Sequence, residues 1–166
     1  MYDQILALLD EKKYSELKNL LSEMNEADIA AVLKELPQEK LPLLYRILPK
    51  ELAAEVFVNM DSDAQEFLIR AFSDNELREV LDELYVDDAV DIIEEMPATV
   101  VKRILMHTDP EVRKSINEIL QYPEDSAGSI MTIEYVDLKK YMTVEDAFTR
   151  IRRTGVDKET IYICYV

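Results

Sequence analysis

Every twelfth residue from Leu8 is aliphatic: Leu8, Leu20, Val32, Leu44, Val56, Leu68, Val80, Ile92, Ile104 and Ile116. Leu, Ile and Val make up only 47 of the 166 residues, so an unbroken column of this kind marks a repeat. One continuous α-helix could not carry it. At about 100° per residue a twelve-residue step turns the column by about 120°, which leaves no common buried face. The chain therefore has to stop and restart a helix in each repeat.

A second column shows where: Asn25, Pro37, Pro49, Asp61, Ser73, Tyr85, Pro97 and Asp109. Asn, Asp and Ser accept hydrogen bonds from the free N–H groups of a first helical turn, and Pro is tolerated there because its missing N–H is not needed. The spacing predicts short helices over 26–35, 38–47, 50–59, 62–71, 74–83, 86–95, 98–107 and 110–119, with two more within 2–22. Helices of about ten residues are marginal alone in water, so each needs its neighbours to cover its apolar stripe. The expected fold class is all-α, a superhelical array of short helices.

Composition supports this. The two glycines, Gly128 and Gly155, both follow the array, whereas strand-and-turn folds generally use more. The single cysteine, Cys164, excludes an intrachain disulfide and suits a reducing compartment. No apolar run approaches the ~18–20 residues of a membrane span, and the opening MYDQILALLDEKK lacks a basic region before its apolar stretch. The expectation is a soluble, cytosolic segment with no membrane insertion of its own.

Charge sharpens the picture. Residues 1–121 hold 27 acidic against 13 basic residues, net −14, and residues 122–166 hold 8 against 6, net −2. So acidic an array repels nucleic acid and anionic lipid and favours cations or basic proteins. Acidity peaks from Asp74 to Glu95, where Arg78 is the sole basic residue. On the helix expected at 86–95, Asp87 and Asp91 are four apart and Asp91 and Glu94 three apart, so their carboxylates share a face and repel. Two readings stay open: a solvated acidic face, or a site that gains from a divalent cation. Oxygen donors without nearby His or Cys favour Mg2+ or Ca2+ over zinc or copper.

Other chemistry finds no support. His107, the only histidine, falls at a helix end where it interacts well with the dipole, a structural position. Cys164 lies in the alternating run 160–166, which reads as a strand that buries it. Met24, Met60 and Met96 fall on apolar columns and read as core. No phosphate-binding glycine loop, zinc-protease or nucleophile-elbow motif occurs, and the chain is not expected to be an enzyme.

After Leu120 the pattern changes. Residues 122–132 form a Pro- and Gly-containing connector. Beyond it, Val136–Leu138 reads as extended, Thr143 with Asp146 as a capping box for a helix through about Arg153, and 160–166 as a strand. The domains are expected at 1–121, a helical-repeat N domain, and 133–166, a truncated α/β piece.

The acidic array, followed by YPEDSAGSIMT and by YMTVEDAFTRIRR and ETIYICYV, resembles the cytosolic part of the MgtE-type magnesium transporters and channels. The LPKELAAEVF and VDDAVDIIEEM segments add to the likeness, whereas the array alone is also similar to flagellar motor switch proteins. The resemblance implies that 133–166 starts the first cystathionine-β-synthase (CBS) domain, without the second CBS domain, plug helix or pore. It further implies that Glu55, Asp87 and Asp91, with Asp88 as a nearby candidate, hold Mg2+ between acidic faces of the N and CBS domains, which favours a closed pore. Implied partners are the remaining CBS domains and the transmembrane pore, in a homodimer at the cytoplasmic side of the membrane. The alternative from another class is an acidic helical-repeat adaptor that binds a protein partner. A regulatory domain of a CBS-containing enzyme would rest on residues 133–166 alone.

Overall fold

A computed structural model describes residues 2–123 and 125–166, leaving aside the side chain of Asp157. Glu124, within the expected connector, lies outside the described residues. The array comprises α1 (Tyr2–Asp10), α2 (Tyr14–Ser22), α3 (Glu26–Glu35), α4 (Leu41–Tyr45), α5 (Lys50–Val58), α6 (Ser62–Ala71), α7 (Asp74–Leu81), α8 (Val86–Glu95), α9 (Ala98–His107) and α10 (Pro110–Ile119). Four restarts are capped by a local side chain. Asn25 accepts from the Ala27 amide, Asp61 from Ala64, Ser73 from Glu76 and Asp109 from Glu111. Pro37, Pro49 and Pro97 sit one place before their helices and offer no side-chain cap. Their ψ values of 132–149° hold the chain extended where the preceding helix must end.

The helix expected at 38–47 is shorter. Gln38–Lys40 is a 3-10 turn and α4 starts at Leu41. Pro42 explains this: it has no N–H for the carbonyl four residues back, so α-geometry begins with Pro42 in its first turn.

From α3 onward, packing runs mainly between helices two apart in sequence. α3 lies on α5, α5 on α7 and α7 on α9, while α4 lies on α6 and α8 on α10. The Leu8 column is buried from Leu44 onward but only half-buried at Leu8, Leu20 and Val32. Two further columns run deeper: Ile5, Leu17, Ile29, Leu41, Ala53, Gln65, Leu77 and Ala89, and Leu9, Leu21, Leu33, Tyr45, Phe57, Ile69, Leu81 and Ile93, all buried. Gln65 keeps its core place by donating Nε2 to the Phe57 carbonyl at 2.8 Å, which satisfies an otherwise costly buried amide. Tyr45, Phe57 and Phe72 form an aromatic knot with centroids 5.2–6.4 Å apart, and the Tyr45 hydroxyl donates to the Ala53 carbonyl.

Beyond the array, β1 (Val136–Asp137) pairs in parallel with β2 (Cys164–Tyr165) across α11 (Val144–Thr154). Thr143 and Asp146 form the expected capping box. The strands are shorter than 136–138 and 160–166, because a two-residue β1 offers Ile161–Ile163 no ladder. Tyr162 is 97% exposed, and Cys164 is only half-buried. Among the described residues no helix is long and apolar enough to cross a membrane.

Candidate metal centre

The helix that carries the acidic cluster lacks a cap of its own. α8 starts after Tyr85, whose ring offers no acceptor to the first-turn amides. The acceptor arrives from 48 residues further on: the Val86 amide donates to Glu134 Oε1 at 3.2 Å. A carboxylate is well placed there, where N–H groups and the helix dipole present positive charge. Glu134 is steadied by the Thr132 hydroxyl, which donates to its other oxygen, and its carbonyl accepts from the Glu159 amide at 3.1 Å. Residues 132–134 and Glu159 are thereby laid against the start of α8.

This docking brings negative charge from two parts of the chain together. Asp87 and Asp88 are half-buried, whereas Glu55 and Asp91 are exposed. Burial raises the Asp87 carboxyl above its ordinary value, as does the charge of Glu159, with Glu134 adding to both. Asp88 is pushed up to about 6, first by burial, then by Asp87, Glu159, Asp91 and Glu134. The Tyr85 phenol is raised by burial and by Glu159, Glu134, Glu55 and Asp88. Each of these groups thus resists gaining charge.

Glu55 on α5 and Asp88 on α8 line one cleft of about 270 Å3, together with Tyr85 and Val156. Asp91 lies outside this cleft, on the next turn. The Asp87 carboxylate feels the charge of Glu159, which the Asp87 and Asp88 backbone amides oppose, and its Oδ1 is buried with no hydrogen-bond partner among the described residues. Lys50, the nearest cation on α5, is engaged by Glu83 at 3.1 Å. Among the described residues no three of the chain's acidic, histidine or cysteine side chains converge closely enough to enclose a metal as they stand. An all-oxygen donor set with one orphaned carboxylate oxygen nevertheless fits a hard divalent cation.

Glu134 and Glu159 were not legible as site residues. The usable signal was Tyr85, the one residue in the helix-start column that neither caps by its side chain nor is proline. His107 Nε2 lies 3.4 Å from Asp74 Oδ1, beside Arg103, which donates to the Phe72 carbonyl and to Asp74, and its Nδ1 is buried without a partner among the described residues.

The family described as the MgtE intracellular N domain matches residues 24–125. The magnesium transporter MgtE of Thermus thermophilus is 37% identical over 79 residues, and that of Bacillus subtilis 29% over 80. Each alignment covers 48% of this chain and 18% of the relative, so the chain corresponds to a minor part of either transporter. The crystal structure of the cytosolic domain of the Mg2+ channel MgtE in complex with ATP superposes with a TM-score of 0.89 at 33% identity, over 100% of this chain and 68% of that one. The soluble part of a magnesium transporter gives 0.85 at 24% identity, over 99% of this chain and 65% of that one, a likeness of fold. The match over residues 24–125, more than half of the chain, places it in the MgtE intracellular N domain family.

Proposed function

We propose that this chain is the Mg2+-sensing regulatory region of a magnesium transporter or channel. Residues 1–121 serve as its N domain, 122–132 as connector and 133–166 as the start of the first CBS domain. The observation that carries the reading is the contact of Glu134 with the Val86 amide, which brings Glu134 and Glu159 from the far side of the connector up to the start of α8, beside Asp87 and Asp88, where Asp87 Oδ1 has no hydrogen-bond partner among the described residues. Glu55, Asp87, Asp88 and Asp91 would hold Mg2+, which supplies the positive charge that this apposition lacks. These carboxylates keep the two faces under repulsion while they are bare, so their neutralisation favours closure. In the full-length protein, closure of these faces would favour the closed pore. The remaining CBS domains and a transmembrane pore would be its partners, in a homodimer at the cytoplasmic face of the membrane. The role is regulatory and not enzymatic.

The test is thermal unfolding of the 166-residue chain in MgCl2 and in KCl at matched ionic strength. We expect Mg2+ to raise the midpoint by several degrees more than KCl does, and Asp87→Asn with Asp91→Asn to remove the difference. An equal effect of both salts would overturn the sensor and mark α8 as an acidic docking face for a protein.

A further inference from the structure

We propose that Glu134 is a two-way latch between residues 133–166 and the helical array: its hydrogen bond fastens the segment to α8, while its charge pushes the same segment away. The fastening is explicit. Glu134 Oε1 accepts from the Val86 amide, at the start of a helix whose own cap position is the non-capping Tyr85. The Glu134 carbonyl accepts from the Glu159 amide, so the same residue also sets where Glu159 lies. The opposing push comes from placement: the Glu134 carboxylate sits on the Val86 amide, next in sequence to Asp87 and Asp88, and its carbonyl holds the Glu159 amide, so like charges from the two segments are brought side by side. A neutral acceptor would do the first job without the second. A glutamate holds the segment in contact yet leaves the contact weak, which suits a junction whose closure is to depend on a cation. Glu134 is thus a positioning residue, acting on α8 through its amide and on Asp87 and Asp88 through the field of its charge.

This inference rests on the Mg2+-sensing reading for its purpose, but its physical core is testable without any metal. The measurement is residue-resolved amide hydrogen exchange of the full chain by NMR for wild type, Glu134→Gln and Glu134→Ala, each in KCl and in MgCl2 at matched ionic strength. Global unfolding is followed alongside to show that all three fold. In KCl, Glu134→Gln keeps an acceptor and loses the charge, so protection of the Val86 and Glu159 amides should rise at least about threefold over wild type. Glu134→Ala loses both, and protection of Val86 should fall about fivefold, the usual scale of a lost helix cap. In MgCl2, wild type should gain protection at both amides and Glu134→Gln should gain less, because part of the repulsion is already gone.

Glu134→Gln and Glu134→Ala shifting in the same direction, or Val86 protection equal in all three proteins, would overturn the latch. Lack of any Mg2+ response in wild type, with the order Gln above wild type above Ala intact in KCl, would overturn the sensor and leave the latch standing.

Discussion

Glu76 and Asp88 are twelve residues apart, at the same register of successive repeats, each third in its helix. Their surroundings are opposite. Glu76 takes Arg46 Nε at 2.5 Å and both the amide and the hydroxyl of Ser73. Arg46 above all, then the two Ser73 bonds, hold its carboxyl down at about 2. Asp88 has no cation or cap of this kind among its perturbers, and burial with four neighbouring carboxylates lifts it to about 6. The fold thus shows what a satisfied first-turn carboxylate looks like and, one repeat later, leaves one unsatisfied. The difference teaches that acidity along the array is not of one kind. Around α7 it is neutralised within the chain, by Arg46 on Glu76, Lys50 on Glu83 and Arg103 on Asp74. Around α8, by contrast, no salt bridge of this kind forms among the described residues.

The largest expected effect breaks the satisfied side. Phe72 is 4% exposed and packs on Tyr45 and Phe57, so it buttresses both Arg46, next to Tyr45, and Ser73. Phe72→Ala should cost about 3–5 kcal/mol in urea denaturation and let the Glu76 carboxyl rise toward its ordinary value, with that of Asp88 unchanged. A cost below about 1 kcal/mol would show that the aromatic knot does not hold the Glu76 arrangement.

A smaller effect of opposite sign is expected on the unsatisfied side. Asp88→Asn removes a charge that burial and four carboxylates oppose, and it should stabilise the chain in KCl by about 1 kcal/mol, after allowance for the solvent that reaches this half-buried group. The same substitution should reduce the extra stabilisation by Mg2+. Destabilisation in KCl would mean that the crowding around Asp88 is relieved in some other way.

The pH profile sharpens the contrast with the smallest change. Asp88 is raised in the folded state, so the fold holds its proton more tightly than the unfolded chain does. Its contribution is therefore most favourable below about pH 4 and is lost as pH rises to about 6. Glu76 is lowered, so its contribution is present above about pH 4.5 and is lost as pH falls toward 2. Stability in KCl should accordingly fall on both sides of about pH 4–5, and Mg2+ should flatten the upper side only. An upper side equally steep in Asp88→Asn would assign that slope to other groups.

The array was legible because its rule is local. A twelve-residue apolar column and a helix-start column define ten helices, and their bounds differ from the structure by a residue or two, except where Pro42 shortens α4. The two deepest columns, through Ile5 and Leu9, run beside the one that stood out, which is less buried at its first three places. Of the candidate site, Asp87 and Asp91 were visible, with Glu94, as a repulsive set on one short helix, whereas Asp88 entered only as a nearby candidate through the family resemblance. Glu55 rests on the family resemblance, and the structure adds that it shares a cleft with Asp88. Glu134 and Glu159 were hidden for a physical reason. Their role depends on a contact between segments 48 and more residues apart, and no periodicity encodes such a contact.

The most direct test of the central claim is carboxyl 13C NMR of Asp88 across pH, in KCl and in MgCl2 at the same ionic strength. If the acidic faces at α8 await a divalent cation, the Asp88 midpoint should fall from about 6 by a unit or more in Mg2+ and stay where it is in K+. The same midpoint in both salts would contradict the account.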